Sequence, residues 1–288
     1  MLSRTTSVAT SSHVSPPESD TRPPNGTGAT TGERLRSLAD RFAPVIAFLI
    51  LIGVWEFCCW LFAIPTFLLP PPSLVVRSAF DLSGPVWLGH IWSTVRVALM
   101  GYAAAIVVSI PLAMLLASSS LLSRTLYPII IVIHSTPIVA IAPIIVVTLG
   151  TTDAPRVFIT FLITFFPLIV TTTTGVLATP EELIDLSRSL RAGRLREMLH
   201  IRLPFAIPYI FSALKICTTL SIIGAVVAEF VAAERGLGYF IQFTTTYFKI
   251  SQAFAALAIL VIISLTFFRL ITVAQRLFVP WSLPKSER

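Results

Sequence analysis

The sequence predicts an all-α membrane protein with six transmembrane helices and a cytoplasmic helix-turn-helix between the fourth and the fifth. Three observations support this fold class. Of the 288 residues, 55% are hydrophobic and only 12% are charged, which leaves too little charge for a water-soluble surface. Six apolar runs reach the roughly 20 residues that a helix needs to cross a bilayer. The Lys and Arg residues lie mainly in alternate connecting segments, as a fixed membrane orientation requires.

The N-terminal segment, residues 1–41, is predicted to be a disordered cytoplasmic tail. Its first 33 residues include 20 Ser, Thr, Pro or Gly, a composition with too few apolar side chains to form a core. The segment also lacks the apolar stretch of a cleaved signal peptide, so the first apolar run is expected to serve as a signal anchor. A six-helix transmembrane domain is predicted over 42–280, and a short cytoplasmic tail over 281–288.

The six apolar runs define the predicted spans and their orientation. Several contain proline, so kinked helices are expected. With the N terminus inside, 14 Lys and Arg residues fall in inner segments and five in outer ones. This asymmetry favours an inner (plasma) membrane protein with both termini in the cytoplasm. The runs cover approximately residues 42–64, 91–117, 126–149, 156–178, 205–231 and 253–278.

The loop between the fourth and fifth runs is predicted to form two short amphipathic helices. Thr179 and Pro180, followed by Glu182, form a typical helix start, with Thr179 as the N-cap of a capping box. A turn over 191–193 separates two apolar stripes, and Pro204 marks the start of the next span. The stripes consist of Leu183, Leu186 and Leu190, and of Leu195, Met198 and Leu199.

These stripes allow two interpretations. In the first, the helix pair lies on anionic lipid headgroups, which its five arginines would contact. In the second, the pair docks into a groove of a cytoplasmic partner and transmits the movements of that partner to the membrane helices. The periodicity fits both.

The loop resembles the EAA loop of importer permeases of the ATP-binding-cassette class. In that pattern, EAA is followed after three residues by Gly and, after nine more, by I-x-L-P. The matching positions here are Asp185, Leu186 and Ser187 for EAA, Arg191 for the glycine, and Ile201, Leu203 and Pro204 for the closing triplet.

The resemblance implies that these residues, with Leu190 and Gly193, couple the chain to an ATPase. Two positions depart from the pattern. Asp185 is one methylene shorter than Glu, so an ionic contact with a partner requires a closer backbone. Arg191 lacks the conformational freedom by which glycine forms a left-handed turn, and Gly193 is the candidate for that role.

Further segments extend the resemblance over roughly residues 65–280. They are similar to the nitrate, sulfonate and taurine branch, which also includes permeases for pyrimidine precursors of thiamine and for riboflavin. The resemblance implies a permease subunit that forms the translocation path for a small solute. Its implied partners are a second copy or a paralogue, two cytoplasmic ATPase subunits, an extracytoplasmic solute-binding protein and the lipid bilayer. The segments are Leu69–Ser73, Ser135–Pro143, Ala228–Glu229 and Gly236–Tyr239.

Polar side chains within the spans are candidates for the translocation path or its gate. Thr164, Thr171 and Thr172 of the fourth run either bond to carbonyls of their own helix or face a solute in transit. Glu229, near the outer end of the fifth run, matches the Ala-Glu position of the branch and is a candidate for the outer gate. In that role, Glu229→Gln should change the basal ATPase activity of the assembled complex.

Other classes of function lack their motifs. No GxxxxGK[ST] occurs, so ATP and Mg²⁺ are expected in a partner ATPase, with neither a cofactor nor enzymatic activity in this chain. The four histidines and three cysteines are dispersed, so no metal site is expected. The arginines do not alternate with aromatic residues, which argues against nucleic acid. A secondary transporter driven by an ion gradient and a membrane scaffold remain as alternatives.

Overall fold

The computed structural model describes residues 31–150 and 152–283, including side chains except those of residues 31–41 and Ser120. Regular structure in these ranges is helical throughout, which confirms the predicted all-α fold class. A π-helical turn (Met198–Arg202) joins α8 to α9, and a 3₁₀ turn (Pro280–Ser282) follows α11. The helices are α1 (Thr31–Leu61), α2 (Pro72–Ala79), α3 (Gly84–Ser118), α4 (Ser120–Ser135), α5 (Ile138–Leu149), α6 (Asp153–Leu177), α7 (Glu181–Ser189), α8 (Arg194–Glu197), α9 (Leu203–Ala232), α10 (Leu237–Thr246) and α11 (Ile250–Phe278).

Helix α1 covers Thr31–Leu61 and so includes the end of the predicted N-terminal tail, where residues 33–39 supply Glu, Arg, Leu and Ala, which are good helix formers. The candidate membrane span within α1 is Phe42–Leu61, in agreement with the predicted run over 42–64. The rest of the predicted N-terminal tail, residues 1–30, lies outside the described residues, as do residues 284–288. The chain divides into two compact units at Gly53, and the packing described below is that of the unit beginning at Val54.

Within residues 31–150 and 152–283, five helical stretches are long and apolar enough to cross a membrane, and a sixth candidate is a bent pair. The pair, α4 and α5, meets at 92°, so the third predicted span is not a single helix. Pro137 explains the break, since it cannot donate a backbone hydrogen bond and holds the preceding residue in an extended conformation. Thr136 has this conformation, with φ −74° and ψ 127°.

The directions of α3 and α6 show that the bent pair crosses from one end of these helices to the other. Arg96 of α3 pairs with Asp153 at the start of α6, and Ala117 near the end of α3 packs in one cluster with Val176 near the end of α6. The two helices are therefore parallel. A chain can connect parallel helices only by returning along their length, so α4 and α5 together make the missing crossing.

Close contacts between α3, α6 and α9 form the centre of the packed unit. A Cβ placed on Gly101 of α3 would lie 2.5 Å from the Thr160 side chain, and one on Gly224 of α9 would lie 2.9 Å from the Thr160 Cα. Glycine at these positions lets both helices approach α6, as is common in membrane bundles. At the opposite end of α6, Gly175 faces Tyr209 of α9 in the same manner, so α9 runs antiparallel to α6.

Candidate functional site

The loop between α6 and α9 contains α7, which presents one narrow side to the helical bundle. Ser187 is only 3% exposed and Ile184 is half-buried, whereas Asp185 and Arg188 are exposed. The 3.7 Å pair between Arg188 and Asp185 lies in solvent and contributes little to stability. Most of α7 is thus available to a partner.

The predicted capping box at the start of α7 does not form. The Thr179 hydroxyl donates to the Val176 carbonyl at 3.0 Å and is buried against the end of α6. Pro180 occupies the capping position, without a side-chain hydrogen bond. Burial of the threonine against the preceding helix therefore outweighs its local capping preference.

The turn after α7 corrects the expected role of Gly193. The Ala192 amide donates to the Ser187 carbonyl at 3.0 Å, and the Arg191 amide donates to the Arg188 carbonyl at 2.9 Å. This pair of bonds closes a helix C-terminus in a Schellman motif, whose central residue is left-handed. Arg191 takes that conformation itself, with φ +55°. Gly193 is extended, with φ −69° and ψ 152°, and is the N-cap residue of α8.

The closing triplet of the loop lies in a continuous helical stretch rather than at a break. The chain remains helical from Arg194 to Ala232, with the π turn between α8 and α9. Ile201 is in this turn, and Leu203 and Pro204 are the first two residues of α9. Pro204 has no amide hydrogen to donate, and it directly follows the π turn, in which the Leu203 amide donates to the Met198 carbonyl.

Ion pairs of the buried Glu197 connect the second half of the loop to α7 and to the start of α9. Glu197 is 8% exposed and accepts from Arg202 Nε at 2.8 Å and Nη2 at 2.7 Å. Arg188 Nε of α7 lies 4.0 Å from the other oxygen of the same carboxylate. One carboxylate therefore holds α7 and the start of α9 together.

The predicted apolar stripe of the loop is largely exposed. Leu183 is 42% exposed, Leu186 57%, Leu190 75% and Leu195 73%. Met198 of the second predicted stripe differs, because it is buried in a cluster with Val176 and Ala206. Clustered exposed leucines on a charged helix are typical of a surface that another molecule covers.

The hydroxyl groups of α6 are divided between packing and partial exposure. Thr164 is fully buried, and its hydroxyl donates to the Thr160 carbonyl at 2.9 Å. Thr172 is also buried, and its hydroxyl oxygen has no hydrogen-bond partner among the described residues. Thr171 is half-buried. A role in the translocation path stays a prediction for all three.

Glu229 connects three helices at the other end of the bundle. It is 1% exposed, and its Oε2 accepts from the Gly238 amide at 2.7 Å and from the Thr94 hydroxyl at 3.1 Å. Thr94 Oγ1 in turn accepts from the Leu237 amide at 2.8 Å. Gly236 has φ +130°, and a Cβ there would overlap the Glu229 carboxylate. The gate role of Glu229 stays a prediction. Because Glu229 is buried, it would act by holding α3, α9 and α10 in position rather than by contacting the solute.

A cluster of charges near this end was not singled out from the sequence. Asp153 pairs with both Arg96 and Arg156, and the i,i+3 spacing of Asp153 and Arg156 was the available signal. Arg96, Arg156 and Arg235 border a cavity of about 800 Å³. A cavity of this size can admit a small solute.

No group of three or more His, Cys, Asp or Glu side chains within residues 31–150 and 152–283 could hold a metal ion. Cys59 and Cys217 are buried.

Comparison with known proteins places these features in a family. Residues 109–282 match the family described as the binding-protein-dependent transport system inner membrane component. The formylaminopyrimidine transport permease protein ThiX of Halalkalibacterium halodurans is 31% identical over 238 residues, which cover 83% of this chain and 95% of ThiX. The riboflavin transport system permease protein RibX of Chloroflexus aurantiacus is 33% identical and covers 82% of this chain and 88% of RibX.

A solved structure shows the same fold. A chain of the MetNI methionine ABC transporter, in an inward-facing conformation, superposes with a TM-score of 0.58 at 22% identity. The match covers 70% of the present chain and 100% of that chain.

Proposed function

This chain belongs to the family of binding-protein-dependent transport system inner membrane components, and from this premise we propose which of its surfaces contact the ATPase, the second permease subunit and the solute-binding protein. It is a multi-pass inner-membrane protein and the permease subunit of an ATP-binding-cassette importer. The chain is therefore interpreted as an importer permease, and not as a transporter driven by an ion gradient or as a membrane scaffold. The family is one component of a system that also includes an ATPase and a solute-binding protein.

The segment between α6 and α9 contains α7 and α8 and is called the α7–α8 loop below. Its exposed leucines are proposed to dock into a groove of the ATPase. Leu186, Leu190 and Leu195 are each more than half exposed, which is the single observation that carries the proposal. Burial of one leucine side chain contributes about 1.5–3 kcal/mol, so a docked stripe is a large share of a protein–protein binding energy. Around it, Asp185 and Arg191 are placed for polar contacts at the rim.

Substitution of one stripe residue tests this docking. Leu186→Asp should reduce co-purification of the ATPase at least about tenfold, because it loses apolar burial and places a carboxylate in the contact. Ser189→Asp is the matched control: Ser189 is also exposed on α7 but lies outside the leucine stripe. Co-purification is measured by quantitative mass spectrometry of the detergent-extracted complex, with membrane insertion checked by immunoblot. Normal ATPase recovery with Leu186→Asp would overturn the docking proposal.

The translocation path is proposed to form between two permease copies, or between this chain and a paralogue. An apolar groove of about 650 Å³ between α9 and α11 supports a further helical surface at this position. Among the predicted path residues of α6, the half-buried Thr171 is the proposed polar contact of the path, and Glu229 is the proposed gate residue. Two ATPase subunits, which would bind ATP and Mg²⁺, complete the proposed assembly.

The loop and both termini are proposed to lie in the cytoplasm, because 14 Lys and Arg residues would then be inside and five outside, in agreement with the positive-inside rule. The segment 235–252 and the cavity beside Arg96 would then face the solute-binding protein. The solute is proposed to be small and water-soluble, as the named solutes of the relatives are, with its identity set by the binding protein.

A further inference from the structure

A second cavity, of about 520 Å³, lies between the α7–α8 loop and the end of α3. Its walls carry three arginines and one acid, namely Arg188, Arg194, Arg202 and Glu197. The cavity is therefore basic, with two positive charges in excess of the negative one. The exposed leucine stripe is not part of its lining, so the cavity is distinct from the proposed ATPase surface.

Glu197 holds Arg202 and Arg188 at the wall of this cavity. Its carboxylate accepts two bonds from Arg202, at 2.7 and 2.8 Å, while Arg188 approaches at 4.0 Å. An arginine has five N–H donors, so Arg202 keeps three beyond those given to Glu197. Arg194 is exposed, and its guanidinium brings a third fork-shaped donor group to the same space. Such convergent guanidinium groups suit the oxygens of a phosphate.

Two serines line the cavity from the α3 side, and one of them can donate to an anion. Ser118 donates to the Leu115 carbonyl at 2.7 Å, so its oxygen can only accept a further bond. Ser119 accepts from the Leu122 amide at 3.4 Å, which leaves its hydroxyl hydrogen available. Ser119 can therefore donate to an anion in the cavity, as neutral hydroxyls commonly do at phosphate sites.

The position of the cavity indicates where the phosphate comes from. Ser118 is the last residue of the membrane-spanning helix α3, and Arg202 directly precedes α9. Both walls are thus the ends of apolar spans, where lipid headgroups meet the protein. Met198 forms an apolar part of the lining. Basic pockets between transmembrane helices at this depth bind anionic headgroups.

We propose that the cavity formed by Arg188, Arg194, Arg202 and Ser119 binds the phosphate group of an anionic phospholipid. The inference goes beyond the proposed function, since it needs neither the ATPase nor the solute. The bound headgroup would contact both Ser119 at the end of α3 and the arginines of the loop, and so would stabilise the position of the loop against α3.

The test is native mass spectrometry of the purified full-length chain, delipidated in a neutral detergent and titrated with phosphatidylglycerol, phosphatidylcholine or inorganic phosphate. The mass of the adduct identifies the source of the phosphate. Phosphatidylglycerol should bind about tenfold more tightly than phosphatidylcholine, because its net negative charge is attracted by a lining of three arginines and one acid. Arg194→Gln should weaken phosphatidylglycerol binding about fivefold, and Arg194→Lys less.

Arg196→Gln is the matched control, because Arg196 lies on the same short helix and is exposed but does not line the cavity. It should leave the affinity within about twofold of the unaltered chain. Equal weakening by Arg194→Gln and Arg196→Gln would overturn the site. Equal binding of the two lipids, or saturation by inorganic phosphate alone, would overturn the lipid source. If Arg194→Gln lost the ATPase but retained phosphatidylglycerol affinity, the cavity would be an ATPase contact instead.

Discussion

At the residue scale, the clearest feature of the loop between α6 and α9 is the backbone conformation of Arg191. It has a left-handed backbone, with φ +55°, at the position where the resembling EAA pattern has glycine. A non-glycine residue in this region is destabilised by about 1–2 kcal/mol through contact between its Cβ and the backbone. The Schellman bonds of the turn fix the conformation regardless, because they close the end of α7.

Arg191→Gly is therefore expected to stabilise the protein. Removing the Cβ relieves the left-handed strain, and the greater freedom of glycine in the unfolded chain offsets part of that gain. The net expectation is about 1 kcal/mol, or an increase of about 2 °C in the midpoint of thermal unfolding in detergent.

Gly193→Ala is the control for that substitution. Gly193 already has negative φ, and a Cβ there would meet nothing within 4 Å. The midpoint of thermal unfolding of the Gly193→Ala variant should stay unchanged or rise slightly. A lower midpoint for Arg191→Gly would mean that the guanidinium makes a stabilising contact that exceeds the backbone strain.

At the scale of elements, α6 separates packed from partly open hydroxyls. Thr164 is fully buried and Thr171 is half-buried, although both are threonines on one helix. Periodicity alone could not separate them, because burial depends on how α3 and α9 lie against α6. Gly101 and Gly224 bring those helices close at Thr160, and the side chains of Thr160 and Thr164 are fully buried.

The path hypothesis predicts different thiol accessibility along this helix. In a background with the three native cysteines replaced by alanine, Thr171→Cys should react with a water-soluble thiol reagent in the assembled importer. Thr164→Cys, the matched control, should react at least about tenfold more slowly, because reagent access requires local opening of the packed helices. Labelling is read by mass spectrometry. A Thr171→Cys chain as resistant as Thr164→Cys would assign both hydroxyls to packing.

At the scale of the whole molecule, the connectivity of the described residues gives six crossings, although five of their helical stretches are individually long enough. Parallel α3 and α6 require α4 and α5 to return along the bundle. The loop after α6 then lies at the same end as Ser118, which is consistent with their shared cavity. This arrangement places Glu229 and Asp153 at the opposite end.

The proposed orientation can be checked with an impermeant thiol reagent on intact and opened cells. In the same cysteine-free background, Arg235→Cys should be labelled in intact cells, because it faces outward in the topology that satisfies the positive-inside rule. Leu195→Cys should be labelled only after the membrane is opened. The reverse pattern would invert the topology and place the loop outside, where no ATPase could reach it.

The sequence by itself determined the helical class, the approximate spans and the position of the amphipathic loop, because apolar run length and stripe periodicity are local properties. It also carried the family resemblance, which depends on residue spacing. Tertiary structure decided the start of α7, where Thr179 bonds backward to α6, and the turn conformation of Arg191. It alone joined Glu229 to Thr94, 135 positions apart, and formed the basic cavity from α3 and the loop. Those features depend on which helix ends meet in three dimensions, and residue spacing along one chain does not specify that.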